Sequence, residues 1–173
     1  MRVSLVFAHV MGSPEKTFQR LVAQLDYPMF IATVAADGER AGCLIGFATQ
    51  CSIHPPRFLA GISDKNRTYR VARGAGSMAV HLVPDHASDL AELFGGETGD
   101  EIDKFDRCDW RPGPEGVPLL DGCPNRFVGS VVERVDFGDH LGMVLEPYFA
   151  EEDARSGQLG FHRAKRIDPG HRA

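Results

Sequence analysis

Residues 42–56, GCLIGFATQCSIHPP, constrain this chain more than any other stretch. An apolar run over residues 43–47 gives way to small and polar residues over 48–52. Pro55 and Pro56 then stop it, because two successive prolines withhold two ladder N–H donors. Gly46 sits inside the apolar run, and a glycine within a strand usually marks a bulge or a close approach by another group. One reading is a core strand running into a small-residue loop that brings backbone N–H and C=O groups against a flat ligand. An ordinary barrel strand followed by a turn fits the same residues, since short apolar runs are ambiguous.

The flanking segments supply the rest of a β-rich pattern. Ser13, Pro14 and Glu15 give a helix start: an N-cap, a proline at the first helical position and an acid in the first turn. Phe18, Leu21, Val22 and Leu25 share one face of that helix, which is expected to end near Asp26, ahead of Pro28. Residues 29–35 are a predicted strand, Asp37 and Gly38 a turn, and residues 57–62 a returning strand. Residues 63–73 read as a short helix with caps at Ser63 or Asn66. Residues 77–83 read as strand, and residues 85–94 as a helix ended by Gly95 and Gly96. Residues 97–125, rich in Gly, Pro and Asp, are expected to be a long surface loop. Residues 127–135 and 141–149 are predicted strands joined by a turn through Phe137, Gly138, Asp139 and His140. Residues 151–157 read as a solvated loop and residues 159–167 as a last strand. Six or seven strands with short connections and at most three helices do not make a βαβ alternation. The expectation is a mainly β fold, an antiparallel barrel with helices on its outside.

The length of 173 residues fits one domain with a sizeable core. Residues 13–173 are taken as that domain. Residues 1–12 are taken as an extension, disordered or mis-assigned, with the true start at Met1 or Met11 left open. The first eleven residues are too short to span a bilayer and lack the three-part pattern of a secretory signal. A net charge of −5 without a basic stripe argues against nucleic acid, the nearest approach being Arg163, Lys165 and Arg166. Cys43, Cys51, Cys108 and Cys123 form no CxxC pair, which argues against a compact zinc site and a disulfide framework, and fits reduced thiols in a cytoplasm.

Residues 74–79, GAGSMA, match a dinucleotide fingerprint in sequence but follow a helix and open a strand, the reverse of what that fingerprint needs. Residues 63–68 are more informative. A helix start offers free N–H groups to phosphate, Lys65 and Arg67 add charge, and Ser63, Asn66 and Thr68 add neutral donors. A capped surface helix is the alternative. His81 and His86 lack a third ligand at metal spacing, and no carboxylate pair or nucleophile triad is legible. The shortage of acid–base motifs suits an enzyme whose cofactor carries the chemistry.

Several segments, in order, resemble the flavin reductase-like family of the FMN-binding split barrel. Trp110, Gly113, Gly116, Pro118, Leu120 and Gly122 resemble the family's W-x-x-G-x-x-G-x-P-x-L-x-G. Gly138-Asp139-His140 resembles its GDH turn, and residues 90–94 (LAELF) its L-A-x-x-F helix end. Ser52, Pro55 and Pro56 resemble the S-x-x-P-P after its flavin strand. The resemblance implies a homodimeric split barrel that binds FMN or FAD near the dimer interface. It also implies reduction of flavin by NADH or NADPH and a partner monooxygenase that receives the product. It assigns the flavin ring to Leu44, Ile45, Gly46, Phe47, Gln50 and Cys51, mostly through backbone, with Phe94 packing nearby. Ser63, Lys65, Asn66, Arg67 and Thr68 would hold the phosphate, and His140, the one residue given a catalytic place, would border the nicotinamide. The family often has G-M-T-A-N-S-F where this chain has GCLIGFA, so Leu44, Gly46 and Phe47 replace Thr, Asn and Ser and their side-chain contacts. Two other activities fit the same resemblance: a flavoprotein that keeps its flavin and reduces another acceptor, and a flavin-binding module without turnover.

Overall fold

The computed structural model describes residues 13–153 and 157–170, so the expectation for residues 1–12 lies outside the described residues. Helix α1 (Pro14–Val22) starts as read, with the Ser13 hydroxyl oxygen accepting the Lys16 N–H at 3.3 Å. Its apolar face exists but is not covered: no residue of α1 is buried, and Phe18 and Leu21 are each 58% exposed.

Among the described residues nine strands follow: β1 (Phe30–Ala36), β2 (Glu39–Ile45), β3 (Ala48–Ser52), β4 (Arg57–Ser63), β5 (Ser77–Leu82), β6 (Trp110–Pro112), β7 (Pro118–Leu120), β8 (Arg126–Asp136) and β9 (His140–Glu151). The β1–β2 hairpin closes on Asp37 (φ 52°) and Gly38 (φ 79°), a two-residue turn with both central residues left-handed, which Asp-Gly favours. Seven strands pair antiparallel in the order β2-β1-β5-β8-β9-β4-β3, and β6 pairs with β7 apart from them. The two edges of the large sheet, β2 and β3, are consecutive in sequence and joined only through Gly46 and Phe47. The sheet must therefore curl until its edges approach.

Alternation along β1 sorts the core into two layers. Phe30, Ala32 and Val34 point into the curl with Ile62, Met78 and Met143. Met29 and Ile31 point outward, against Val83, Phe94, Phe105, Leu120 and Leu159. Helices α2 (Arg67–Ala72), α3 (Ser88–Gly96) and α4 (Phe161–Ala164) lie around the sheet. Among the described residues no helix is long and apolar enough to cross a membrane.

Four expectations change. The opening stretch is two strands, not a strand and a loop, because Gly46 and Phe47 turn the chain and residues 48–52 pair with β4. Residues 97–125 are not a loose loop: a 3-10 turn (Lys104–Arg107) and the β6–β7 hairpin bury Phe105, Val117, Leu119, Leu120 and Cys123. The turn formers there punctuate an ordered outer layer. Helix α3 continues through Gly95 and Gly96 where it was expected to stop. Residues 159–167 form α4 and flanking turns; only the isolated bridge of Gly160 with Pro28 is sheet-like.

Candidate functional site

Strand β4 ends on Ser63 and β9 begins on His140, and the two residues are direct cross-strand partners. His140 thus lies in a strand, one position beyond the turn where it was expected. Beyond Ser63 the chain turns through Asp64 and Lys65, with the Lys65 N–H donating to the Ser63 hydroxyl at 3.4 Å and the Asp64 N–H to the Asp139 carbonyl at 2.9 Å. These bonds fix the turn that leads to Asn66, the N-cap of α2, against the residues flanking His140. The imidazole Nδ1 lies 2.7 Å from the Asp139 carboxylate, and the Phe47 ring packs at 4.9 Å from the imidazole, tilted by 48°. The hydrogen bond to His140 is the main influence holding the Asp139 carboxyl below its usual range, with the His140 and Lys65 charges adding to it.

A cavity of about 350 Å³ opens beside these groups. Its apolar walls are Met29 and Leu44 from the β1–β2 side, Phe47 from the turn, Phe94 from α3, and Phe161 and Ile167 from the C-terminal segment. Its polar groups are Ser63, Asp64, Lys65, Asn66, Asp139, His140 and Lys165. Phe94 is 1% exposed and is held from behind by Lys104, whose Nζ donates to the Phe94 carbonyl at 2.9 Å and to the Gly42 carbonyl at 3.5 Å. Burial pushes the Lys104 pKa down, and these carbonyls supply hydrogen bonds in place of water.

Leu44, Phe47, Ser63, Lys65, Asn66, Phe94 and His140 therefore meet at one cavity. The other assigned residues lie elsewhere. Ile45 is buried in the sheet interior, and Gln50 and Cys51 are exposed on edge strand β3. Gly46 does permit a close approach, but by Tyr27: a Cβ there would lie 2.5 Å from the tyrosine ring. Arg67 and Thr68 line a second cavity of about 230 Å³, which shares Asn66 with the first. The Arg67 guanidinium is engaged by Glu39 at 3.1 Å and by the Gly99 carbonyl at 3.0 Å. Thr68 is buried against Cys43, with which it shares a hydrogen bond; burial pushes that thiol to about 11.

Sequence reasoning missed the wall made by Phe161, Lys165 and Ile167, and the support given by Lys104. The basic cluster around Lys165 was visible, but the strand expected there hid which way it faces. The cavity combines an apolar slot with hydrogen-bond donors and ammonium groups at its margin, a fit for a flat aromatic ring carrying an anionic tail.

A model of the family described as "Flavin reductase like domain" matches residues 22–167. A probable flavin reductase of Rhizobium meliloti is 27% identical over 141 residues, covering 79% of this chain and 44% of that protein. The reductase subunit HsaB of a flavin-dependent monooxygenase from Mycobacterium tuberculosis is 26% identical over 126 residues, covering 73% of this chain and 66% of that subunit. The chain thus spans less than two thirds of the length of these two relatives. The solved structure of the NADH:FAD oxidoreductase SgcE6 from Streptomyces globisporus superposes with a TM-score of 0.78 at 20% identity, covering 95% of each chain.

Proposed function

Since the chain belongs to the flavin reductase like family, we propose that it is an NAD(P)H-dependent flavin reductase that delivers reduced FMN or FAD to a partner monooxygenase. One observation carries this reading: aromatic and aliphatic walls and the donors of residues 63–66 converge with His140 on a single cavity. The chemistry supplied by the two bound molecules is hydride transfer from reduced nicotinamide to flavin. The protein's part is to hold two rings close and parallel, an effect worth up to ~7–11 kcal/mol of barrier when complete. Leu44 and Phe47 exclude water and present apolar surface, with the nearly buried Phe94 packed in the wall beside Leu44. Asn66, where the two cavities meet, and Lys65 receive the flavin phosphate, with Ser63 fixing their turn by its bond to the Lys65 N–H. Arg67 and Thr68 stand behind Asn66 and shape the second cavity. Ile45, Gly46, Gln50 and Cys51 have no direct part in ring binding in this reading.

The curled sheet, with edges linked by two residues and no ladder between β2 and β3 among the described residues, supports a split barrel. A homodimer and a cytoplasmic location complete the proposal. The test is steady-state NADH and NADPH oxidation by the full chain as free FMN or FAD is varied. Saturable dependence on free flavin is expected. Turnover with only a catalytic trace of bound flavin would replace this reading with a flavoprotein acting on another acceptor, and bound flavin without turnover would leave a binding module.

A further inference from the structure

The cluster of Arg163, Lys165 and Arg166, which composition alone left without a task, forms part of the cavity's C-terminal wall through Lys165. That wall is fixed. The Leu159 N–H donates to the Val83 carbonyl at 2.9 Å, the Phe161 N–H to the Tyr27 carbonyl at 2.9 Å, and the Phe161 and Tyr27 rings stack at 4.6 Å. The Lys165 N–H closes the α4 turn on the Phe161 carbonyl at 2.8 Å.

The cavity's charged groups do not all pair with one another. Its two carboxylates each have a near neighbour other than Lys165: Asp139 shares a hydrogen bond with His140 at 2.7 Å, and Asp64 lies 3.8 Å from Lys65. Arg166 faces a neighbouring groove that also holds Glu92, Glu97 and Asp168. Lys165 lines the cavity, and no ion pair engages it among the described residues. Residues 157–167 contain no acid in a chain whose net charge is −5. An ammonium without an ion-pair partner among the described residues, on a wall held by backbone hydrogen bonds and lining the same cavity as the donors of residues 63–66, is placed for a second anion.

We propose that Lys165 binds the pyrophosphate of the dinucleotide hydride donor and so sets the affinity for that substrate. This rests on the reductase reading. Dinucleotide donors carry two negative charges at the pyrophosphate, between nicotinamide and adenosine. An ammonium beside the nicotinamide position holds them by charge-assisted hydrogen bonds and draws them in by steering. Lys165 touches no reacting atom and is a specificity residue.

The test uses the full chain and ADP-ribose, which has the pyrophosphate but no nicotinamide, with binding measured by calorimetry without flavin. Lys165→Ala should weaken ADP-ribose about 10-fold, the scale of one charge-assisted hydrogen bond. It should raise KM for NADH by a similar factor while kcat and the affinity for FMN stay within about 2-fold. Lys165→Arg should restore binding, and added salt should erode the native protein's affinity more than the alanine variant's. Lys165→Gln serves if the alanine variant loses its native far-ultraviolet spectrum. Unchanged ADP-ribose binding in a folded variant overturns the proposal. So does a loss of FMN affinity with riboflavin affinity intact, which would move Lys165 to the flavin phosphate. Failure of the reductase reading is distinguishable, because the native protein would then either oxidise no NADH with any flavin or turn over without saturable dependence on free flavin, whereas the ADP-ribose measurement uses neither flavin nor turnover.

Discussion

His140 shows how much one residue's surroundings decide. Its Nδ1 is taken by Asp139, which leaves Nε2 as the ring atom available to a ligand. In the proposed reductase reading that arrangement makes the imidazole a hydrogen-bonding post for the nicotinamide, and the hydride step would ask no proton of it. His140→Ala should raise KM for NAD(P)H or slow hydride transfer about 10-fold, the cost of one hydrogen bond to a partly desolvated group. Flavin affinity should change less. Single-turnover flavin reduction from pH 5.5 to 9 checks this. A loss of a thousandfold or more, together with disappearance of a pKa from the native profile, would instead make His140 a general acid. At this scale the sequence was legible where residue type restricts use: Phe47, Phe94, Ser63, Lys65, Asn66 and His140 all reach the cavity. It was not legible where strand parity decides. Leu44 faces the cavity and Ile45, one residue on, faces the sheet interior, and the break at Gly46 cancels any pattern that would carry the alternation to Gln50 and Cys51. Gly46 was rightly read as a place of close approach, but no local signal names Tyr27 as the group that approaches.

Elements communicate through buried polar staples, and His81 is the clearest. It lies on β5 with no exposed surface, its Nδ1 3.0 Å from the Ile31 carbonyl of β1 and its Nε2 accepting the Leu120 N–H of β7 at 3.1 Å. Only the neutral ring, with hydrogen on Nδ1, satisfies both. Burial depresses its pKa from 6.5 to about 4, so the unfolded chain binds a proton there that the folded chain refuses. Stability from this group is full above about pH 6.5, falls as pH drops toward about 4, and loses no more below that. The whole loss is on the order of 3 kcal/mol. Urea unfolding at pH 7 and pH 4.5 should show most of that difference, and His81→Gln should flatten it; a native profile already flat over this window would refute the staple. The histidine's staple also explains why residues 97–125 were misread. Their β6–β7 hairpin is held by partners distant in sequence, His81 and Thr33, whose hydroxyl donates to the Pro118 carbonyl at 2.6 Å. The hairpins closed by Asp37-Gly38 and by residues 137–139 were legible because their signals are local.

Across the whole molecule, the described residues leave apolar surface uncovered in several places, Phe137 in the β8–β9 turn among them. Phe18, Leu21 and Leu25 on and after α1 are more than half exposed, as are Phe47 and Ile53 on either side of edge strand β3. A second copy is the simplest cover for surface of this kind. Sedimentation at micromolar concentration should therefore give a species of twice 18.9 kDa, and a lone 18.9 kDa species would count against the homodimer. The curled sheet also has an order in time. The hairpins β1–β2, β3–β4 and β8–β9 join chain neighbours, whereas β4 meets β9 by bringing Phe58 to Leu145 and Ser63 to His140. Closing that separation costs entropy before its contacts repay it, which makes distant ladders slow to form. The cavity has no existence until this seam shuts, because Ser63 and His140 stand on opposite sides of it. A ligand arriving during folding finds hairpins but no berth, so it cannot guide the early steps and can only lock the last one. On refolding, the strand signal in the far ultraviolet should return ahead of flavin binding; simultaneous return would mean that the seam closes first.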